Sequence, residues 1–269
     1  MDKNKILITV YITNHNYERY IKKAIDSVLN QTFKNLELIV VDDGSTDNSK
    51  KIINRYKDNK KITSIFQKNK GLNVSNNIAL RIAKGKYIMR LDADDWLDTH
   101  ALEILYKSIE KNKKIGLVFP DYYEVDEQGK IINLVRRHDF KKVTLRDQAA
   151  HGACTLIRKE FLEKIGGYNA SFSCQDGYDL WIKFIEKYKV KNINLPLFYY
   201  RQHSNSLSKN TNMILKTRSE ILKTTINQSK LKKRKAIAII PVRGLKLNPK
   251  SFVLKNLGGK PLINWSIDT

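Results

Sequence analysis

Through the first 120 residues, short apolar runs rich in β-branched side chains alternate with stretches whose apolar positions recur every three to four residues. The runs predict strands over 6–12, 36–41, 62–66 and 86–91; the stripes predict helices over 17–30, 47–57 and 72–83. A further helix is expected over 99–110, where Leu102, Leu105, Tyr106 and Ile109 share one face. Strands and helices in strict alternation imply βαβ units on a mostly parallel sheet flanked by helices, a Rossmann-like α/β architecture. In such sheets ligands bind beyond the carboxyl ends of the strands, and each predicted strand ends in polar residues.

After residue 115 the pattern becomes mixed. A strand over 115–119 leads to a hairpin, 122–125 against 131–135, turned at 127–130. A strand over 153–157 and a short helix over 159–164, closed by Gly166-Gly167, precede a helix over 176–188 that gathers Trp181, Phe184, Ile185 and Tyr188 on one face. A basic helical stretch covers 211–229, and the run Lys230-Leu231-Lys232-Lys233-Arg234-Lys235 marks a boundary. The expected organisation is a domain over 1–208, a basic helical linker over 209–235 and a separate fragment over 236–269.

Charge narrows the partners. The chain carries 50 Lys+Arg against 27 Asp+Glu, a net +23, which favours anionic ligands. Residues 209–269 contribute 14 basic and 2 acidic side chains, so about half of the excess lies in the tail. No RNP, zinc-finger or helix-turn-helix pattern accompanies it, so nucleic acid is not an expected partner. Peripheral contact with an anionic membrane fits the same charge. No apolar run reaches the ~18 residues of a spanning helix. The first residues carry no signal-like apolar region, and Cys154 and Cys174 lack metal spacing; a cytoplasmic protein, in contact with the inner face of a membrane, is the expectation.

The strand over 86–91 runs into Asp92-Ala93-Asp94-Asp95, and alternation puts Asp92 and Asp94 on one side. Two converging carboxylates suit a hard divalent cation, Mn²⁺ or Mg²⁺, that also grips a diphosphate; a solvated acidic turn before the next helix is the other reading. The second strand ends in Asp42-Asp43-Gly44-Ser45-Thr46-Asp47. Thr46 or Asp47 can cap the following helix, whereas Asp43 has no evident structural need and could accept a base N–H. The first strand ends in Thr13-Asn14-His15-Asn16, adding hydrogen-bonding groups to the same edge.

These motifs, in this order, resemble glycosyltransferase family 2, inverting nucleotide-sugar enzymes of GT-A fold. The likeness runs over about residues 5–208. It is carried by Ala24-Ile25-x-Ser27-Val28-Leu29-x-Gln31-Thr32-Phe33, by 37–47, by Asn69-Lys70-Gly71, by 83–88 and by Leu91-Asp92-Ala93-Asp94-Asp95. It implies that Thr13, His15 and Asp43 touch the base, with Asp42 beside them on the donor side. It further implies that Asp92 lies near ribose or metal, and that Asp94 is the main metal ligand. Gly166-Gly167-Tyr168 and Cys174-Gln175-Asp176-Gly177-Tyr178-Asp179-Leu180-Trp181 resemble the second-half signature, in which an acidic dipeptide opens a helix and its Asp is the catalytic base. Gln175 replaces the usual Glu, leaving Asp176 as base, or as a mere cap at a helix end that favours negative charge. Tyr200-Arg201-x-His203 looks like the late Arg/His loop, with His203 a further metal ligand or a diphosphate contact. His151, Gly152 and Trp181 are expected at the acceptor cleft. Asn76-Asn77 stands where many relatives have Arg-Asn.

The implied activity moves a sugar from a nucleotide sugar, expected to be a UDP-sugar, to a hydroxyl of a glycan or lipid-linked acceptor in polysaccharide synthesis. The tail differs: Ala236-Ile237-Ala238-Ile239-Ile240-Pro241-x-Arg243-Gly244, Pro249-Lys250 and 257–263 resemble the opening of sugar cytidylyltransferases. The match stops at Thr269, as the start of a longer second domain would. One strand and one helix bury no core of their own, so the tail is expected to lack an independent fold unless it docks on the first domain or pairs with a second copy.

Overall fold

The structure, a computed structural model, describes residues 6–136, 152–172, 176–203, 211–228, 256–257 and 260–261. Chain contacts divide it into two units, 1–221 and 222–269.

In the first unit β1 (Ile8–Asn14), α1 (Ile21–Leu29), β2 (Leu36–Asp43), α2 (Ser49–Ile53), β3 (Ile62–Gln67), α3 (Leu72–Ile82) and β4 (Tyr87–Asp92) follow the predicted alternation. β2 is buried along its whole length, which is why Leu38, Ile39, Val40 and Val41 form a continuous apolar run; the buried Glu37 is satisfied by the Thr9 hydroxyl. The remaining elements are β5 (Trp96–Leu97), α4 (Ala101–Glu110), β6 (Ile115–Val125), β7 (Ile131–Val135), β8 (Leu156–Arg158), α5 (Lys159–Lys164), α6 (Asp176–Ile185), β9 (Lys189–Arg201) and α7 (Thr211–Gln228).

Among the described residues these strands form one sheet in the order β3-β2-β1-β4-β8-β6-β9-β5, with β7 paired to β6. β3, β2, β1 and β4 are mutually parallel; β8 enters antiparallel between β4 and β6, and β9 runs parallel to β6. This is the mixed α/β sheet expected of a GT-A fold. The sheet buries both faces. Val10, Ile12, Val40 and Leu91 pack with Ile25, Val28, Leu102 and Leu105 on one side. Tyr11, Ile39, Val41 and Ile88 pack with Ala79, Leu80, Trp181 and Phe184 on the other.

Three differences from the predicted elements stand out. Helix α1 starts at Ile21 and not at 17, because the residues before it form turns beside the sheet edge. The strand over 115–119 and the first hairpin strand are one continuous β6, which passes through Pro120 with register shifts against β9. The 13-residue β9 was not predicted: its partners are more than 60 residues away in sequence, and Lys189, Lys191 and Asn192 interrupt its apolar alternation. In the second unit, β10 (Asn256–Leu257) and β11 (Lys260–Pro261) form a two-residue antiparallel pair; the run Ala236 to Gly244 that carries the cytidylyltransferase resemblance lies outside the described residues.

Candidate active site

Register brings the predicted polar residues to one edge. Thr13 pairs with Asp92 across β1 and β4, Asn14 with Asp42 across β1 and β2, and Asp43 with Gln67 across β2 and β3.

Asp42 is 3% exposed and braces the turn. Its carboxylate accepts from Asn14 Nδ2 at 2.8 Å and from the Ser45 N–H at 3.0 Å. The first bond ties β2 to β1, and the second lies within the turn that follows β2. Asp43 does have a structural task, contrary to the sequence reading: it accepts from Gln67 Nε2 at 2.7 Å and from the Lys70 and Gly71 N–H groups at 2.8 Å each. Gly44 makes the close approach of these loops feasible, because a Cβ there would lie 2.6 Å from the Asn69 nitrogen and its φ is +76°. His15 places Nδ1 2.9 Å from the Asp43 carbonyl, and its Nε2 lies 3.4 Å from Asn69 Nδ2. Because a carbonyl only accepts, Nδ1 carries the proton and Nε2 is left as an acceptor at the crevice mouth.

Asp92 and Asp94 are held differently. Asp92 lies 2.8 Å from Arg90 Nε, a buried guanidinium two residues earlier on the same face of β4. Asp94, 9% exposed, meets His203 Nε2 at 2.8 Å across 109 residues of sequence. Tyr17 and Tyr20 pack their rings against His203 with centroids 5.8 and 5.6 Å away. Burial and the charges of Asp94, Asp92 and Asp95 push the Tyr17 phenol far above its ordinary pKa, so it stays protonated.

The Asp94–His203 contact depends on a strap that sequence reasoning missed. The Arg201 N–H donates to Asp95 Oδ1 at 2.9 Å and its Nε to the Asp94 carbonyl at 3.0 Å, while its guanidinium also reaches the Asp126 and Glu127 carbonyls. The same guanidinium lies over the rings of Tyr20 and Trp96. Asp95 is 1% exposed, and its Oδ2 has no hydrogen-bond partner among the described residues. Burial, reinforced by Asp94 and Asp92, raises its pKa well above the carboxylate range. Arg90, the partner of Asp92, was also missed; its signal was a lone charge two places before Asp92 on an otherwise apolar strand.

The second-half residues divide. Trp181, expected at the acceptor cleft, is 1% exposed and stands edge-on to Phe119, because it lies on the face of α6 that packs against the sheet. Gly152 sits under Arg90, where a Cβ would come 2.4 Å from an Arg90 guanidinium nitrogen. Gly177 in the first turn of α6 follows closely, its Cβ position 3.4 Å from Gly152 Cα. A chain of contacts thus runs from Asp92 through Arg90 and Gly152 to the start of α6, the helix that Asp176 opens. His151 and the Asp176 side chain lie outside the described residues.

Asp94 and His203 fit a divalent cation chemically, a hard carboxylate oxygen and an imidazole nitrogen converging in a half-polar niche. Among the described residues no cluster of three His, Cys, Asp or Glu side chains is suited to a metal, so other positions would fall to ligand oxygens and water.

Comparison with known families gives the same reading. Residues 9–166 match the model of "Glycosyl transferase family 2". The chain belongs to glycosyltransferase family 2. Within that family it is 31% identical over 230 residues to the chondroitin synthase of Pasteurella multocida, 84% of this chain but 24% of that protein. The hyaluronan synthase of Pasteurella multocida is 32% identical over 75% of the chain and 21% of its own length. The chain thus spans about a quarter of the length of these synthases. The Escherichia coli UDP-Glc:alpha-D-GlcNAc-diphosphoundecaprenol beta-1,3-glucosyltransferase WfaP is 32% identical, with 81% of this chain and 86% of that one aligned. Solved folds agree: S. aureus TarS in complex with UDP superposes with TM-score 0.68 at 15% identity, over 84% of this chain and 67% of that one. Mannosyltransferase PcManGT from Pyrobaculum calidifontis, in complex with GDP-Man and Mn²⁺, gives 0.66 at 19% identity, over 83% and 65%. This glycosyltransferase therefore has the GT-A-type fold. None of its described helices is long and apolar enough to cross a membrane.

Proposed function

We propose that this glycosyltransferase uses a UDP-sugar and a divalent cation, Mn²⁺ or Mg²⁺, and inverts the anomeric centre as it transfers the sugar to a hydroxyl of a glycan or lipid-linked acceptor. The observation that carries the reading is the buried Asp94–His203 pair, 2.8 Å apart at the carboxyl edge of β4, next to the Asp92–Arg90 pair. Asp94 and His203 would hold the cation, whose charge, when bound, offsets that gathering on the departing diphosphate. His15, Thr13 and Asp43 hold the base, with the Asp43 carboxylate already aligned by its three N–H donors. Asp176, at the head of α6, takes the proton of the acceptor hydroxyl from the face opposite the leaving group. The relatives named for UDP-Glc and bound to UDP support the donor class.

Peripheral membrane contact, an inner-face location and pairing through the C-terminal extension belong to the same proposal, supported by the basic tail. So does the reading of 236–269 as a cytidylyltransferase-like fragment, and of 1–208 as the domain that carries the activity.

A panel of nucleotides in thermal-shift assays, with and without Mn²⁺, tests the donor reading: UDP with Mn²⁺ should stabilise more than any other pair. Equal stabilisation by GDP would reject uridine selectivity. Asp176→Asn should lower turnover at least ~10²-fold with donor binding intact; normal turnover would reject the base assignment.

A further inference from the structure

Helix α3 carries three asparagines, Asn73, Asn76 and Asn77, among its 11 residues. Asparagine is a poor helix former, because its side chain competes for backbone hydrogen bonds, and a buried amide must find partners. Here the partners lie in another segment. The Asn77 Nδ2 donates to the Tyr168 carbonyl at 2.7 Å, and the Tyr168 N–H donates back to Asn77 Oδ1 at 3.0 Å. Asn73, 2% exposed, donates from Nδ2 to the Asn169 carbonyl at 2.9 Å and to the Phe172 carbonyl at 2.7 Å. The two amides therefore template the backbone of 168–172, much as a neighbouring strand would. The Tyr168 hydroxyl fixes the same segment to β1, accepting from the Tyr11 hydroxyl at 2.8 Å.

Residues 168–172 lead directly to α6, and Asp176 follows Phe172 by four positions. Beyond Asp176, Gly177 lies beside Gly152. The backbone before Asp176 is thus clasped by α3 as far as Phe172. We infer that Asn73 and Asn77 are positioning residues that set the location of the base Asp176 through the 168–172 backbone. This inference rests on the proposed role of Asp176. It also gives the second asparagine of Asn76-Asn77 a task separate from any donor contact, since Asn77 faces Tyr168.

The decisive experiment combines Asn77→Asp, which puts a carboxylate against the Tyr168 carbonyl, with Asp176→Asn in a double-mutant cycle on the full chain. Expected for Asn77→Asp is a fall in kcat of about 10- to 100-fold, the scale of a misplacement near 1 Å, with donor KM and the UDP-induced Tm shift within about twofold of wild type. Added to Asp176→Asn it should lower kcat no further, because its effect passes through that carboxylate. Multiplying effects in the double variant, a kcat equal to wild type, or a parallel loss of donor binding would each overturn the inference. Should Asn77→Asp fail to fold, Asn73→Ala, which removes the Asn169 and Phe172 bonds, is read by the same criteria. If Asp176→Asn retains normal turnover, the base assignment itself fails; if Asp176→Asn is inactive while Asn77→Asp is unimpaired, only the clasp fails.

Discussion

The two halves of the sheet solve the same problem, holding carboxylates at an edge, in opposite ways. In the parallel half, β3-β2-β1-β4, the carboxylates of Asp42 and Asp43 are held by groups within about 30 residues of them: Asn14, the Ser45 N–H, Gln67 and the Lys70 and Gly71 N–H groups. In the mixed half, Asp94 and Asp95 are held by Arg201 and His203, more than 100 residues away, delivered by a strand that bears no local signature. The Asp42–Asp43 edge, proposed to take the nucleotide, is therefore built by local register, and the Asp94–Asp95 edge, proposed to take the cation, by long-range pairing. Damage to β9 should spoil cation use while leaving the nucleotide edge assembled.

The largest expected effect breaks this contrast at its centre. Asp94→Ala should lower transferase turnover by ~10²-fold or more, by removing the carboxylate proposed to hold the cation that offsets charge on the departing diphosphate; a steady-state assay across Mn²⁺ concentrations checks it. Gly152→Ala comes next, since its Cβ would meet the Arg90 guanidinium at 2.4 Å. Displacing Arg90 disturbs Asp92 and the head of α6 together, so kcat should fall about tenfold or more. Arg90→Ala should lower kcat to a similar extent, and adding Gly152→Ala to it should cost little more, because both act through the Arg90 guanidinium. His203→Ala should be milder and different in kind, raising the Mn²⁺ needed for half-maximal rate several-fold with UDP-sugar KM little changed.

Smaller effects sharpen the contrast away from chemistry. Burial, with Asp95 and Asp98 nearby, raises the Cys154 thiol well above its ordinary pKa. Cys154 should resist alkylation by iodoacetamide at about pH 8 until the protein unfolds, as peptide mapping would record. At Asp47, burial alone would raise the carboxyl pKa, yet hydrogen bonds from Ser49 and the Glu18 N–H outweigh it and lower the value. A depressed carboxylate contributes stability above its unfolded value and loses it as pH falls through its folded one. Asp47→Asn should therefore lower Tm slightly near neutrality, with the difference closing below about pH 4 in thermal melts.

The same contrast explains what the sequence made legible. Strands β1, β2 and β4 could be read because burial on both faces favours apolar runs, and because Asp42, Asp43 and Asp92 fall at their ends; the half-exposed edge strand β3 and helix α3 were legible from their apolar spacing. The purposes of those carboxylates could not be read, since the partners of Asp43 and Asp92 are set by loop geometry and by a strand charge, Arg90, that looked out of place. Trp181 could be read on the apolar face of α6, and there it anchors the core. β9 and the bonds from Arg201 to Asp94 and Asp95 could not be read, although Arg201 and His203 stood out in the resemblance, because polar residues interrupt the strand's alternation and its partners are remote. Asn77 matches the Asn of the Arg-Asn pattern from which Asn76 departs, while its hydrogen bonds to Tyr168 required the fold.

Mn²⁺ binding in the presence of UDP, followed by electron paramagnetic resonance of the free ion, tests the central claim most directly. Wild type and Asp176→Asn should both take up Mn²⁺ with UDP, and Asp94→Ala should not. Uptake by Asp94→Ala as tight as that of wild type would contradict the account.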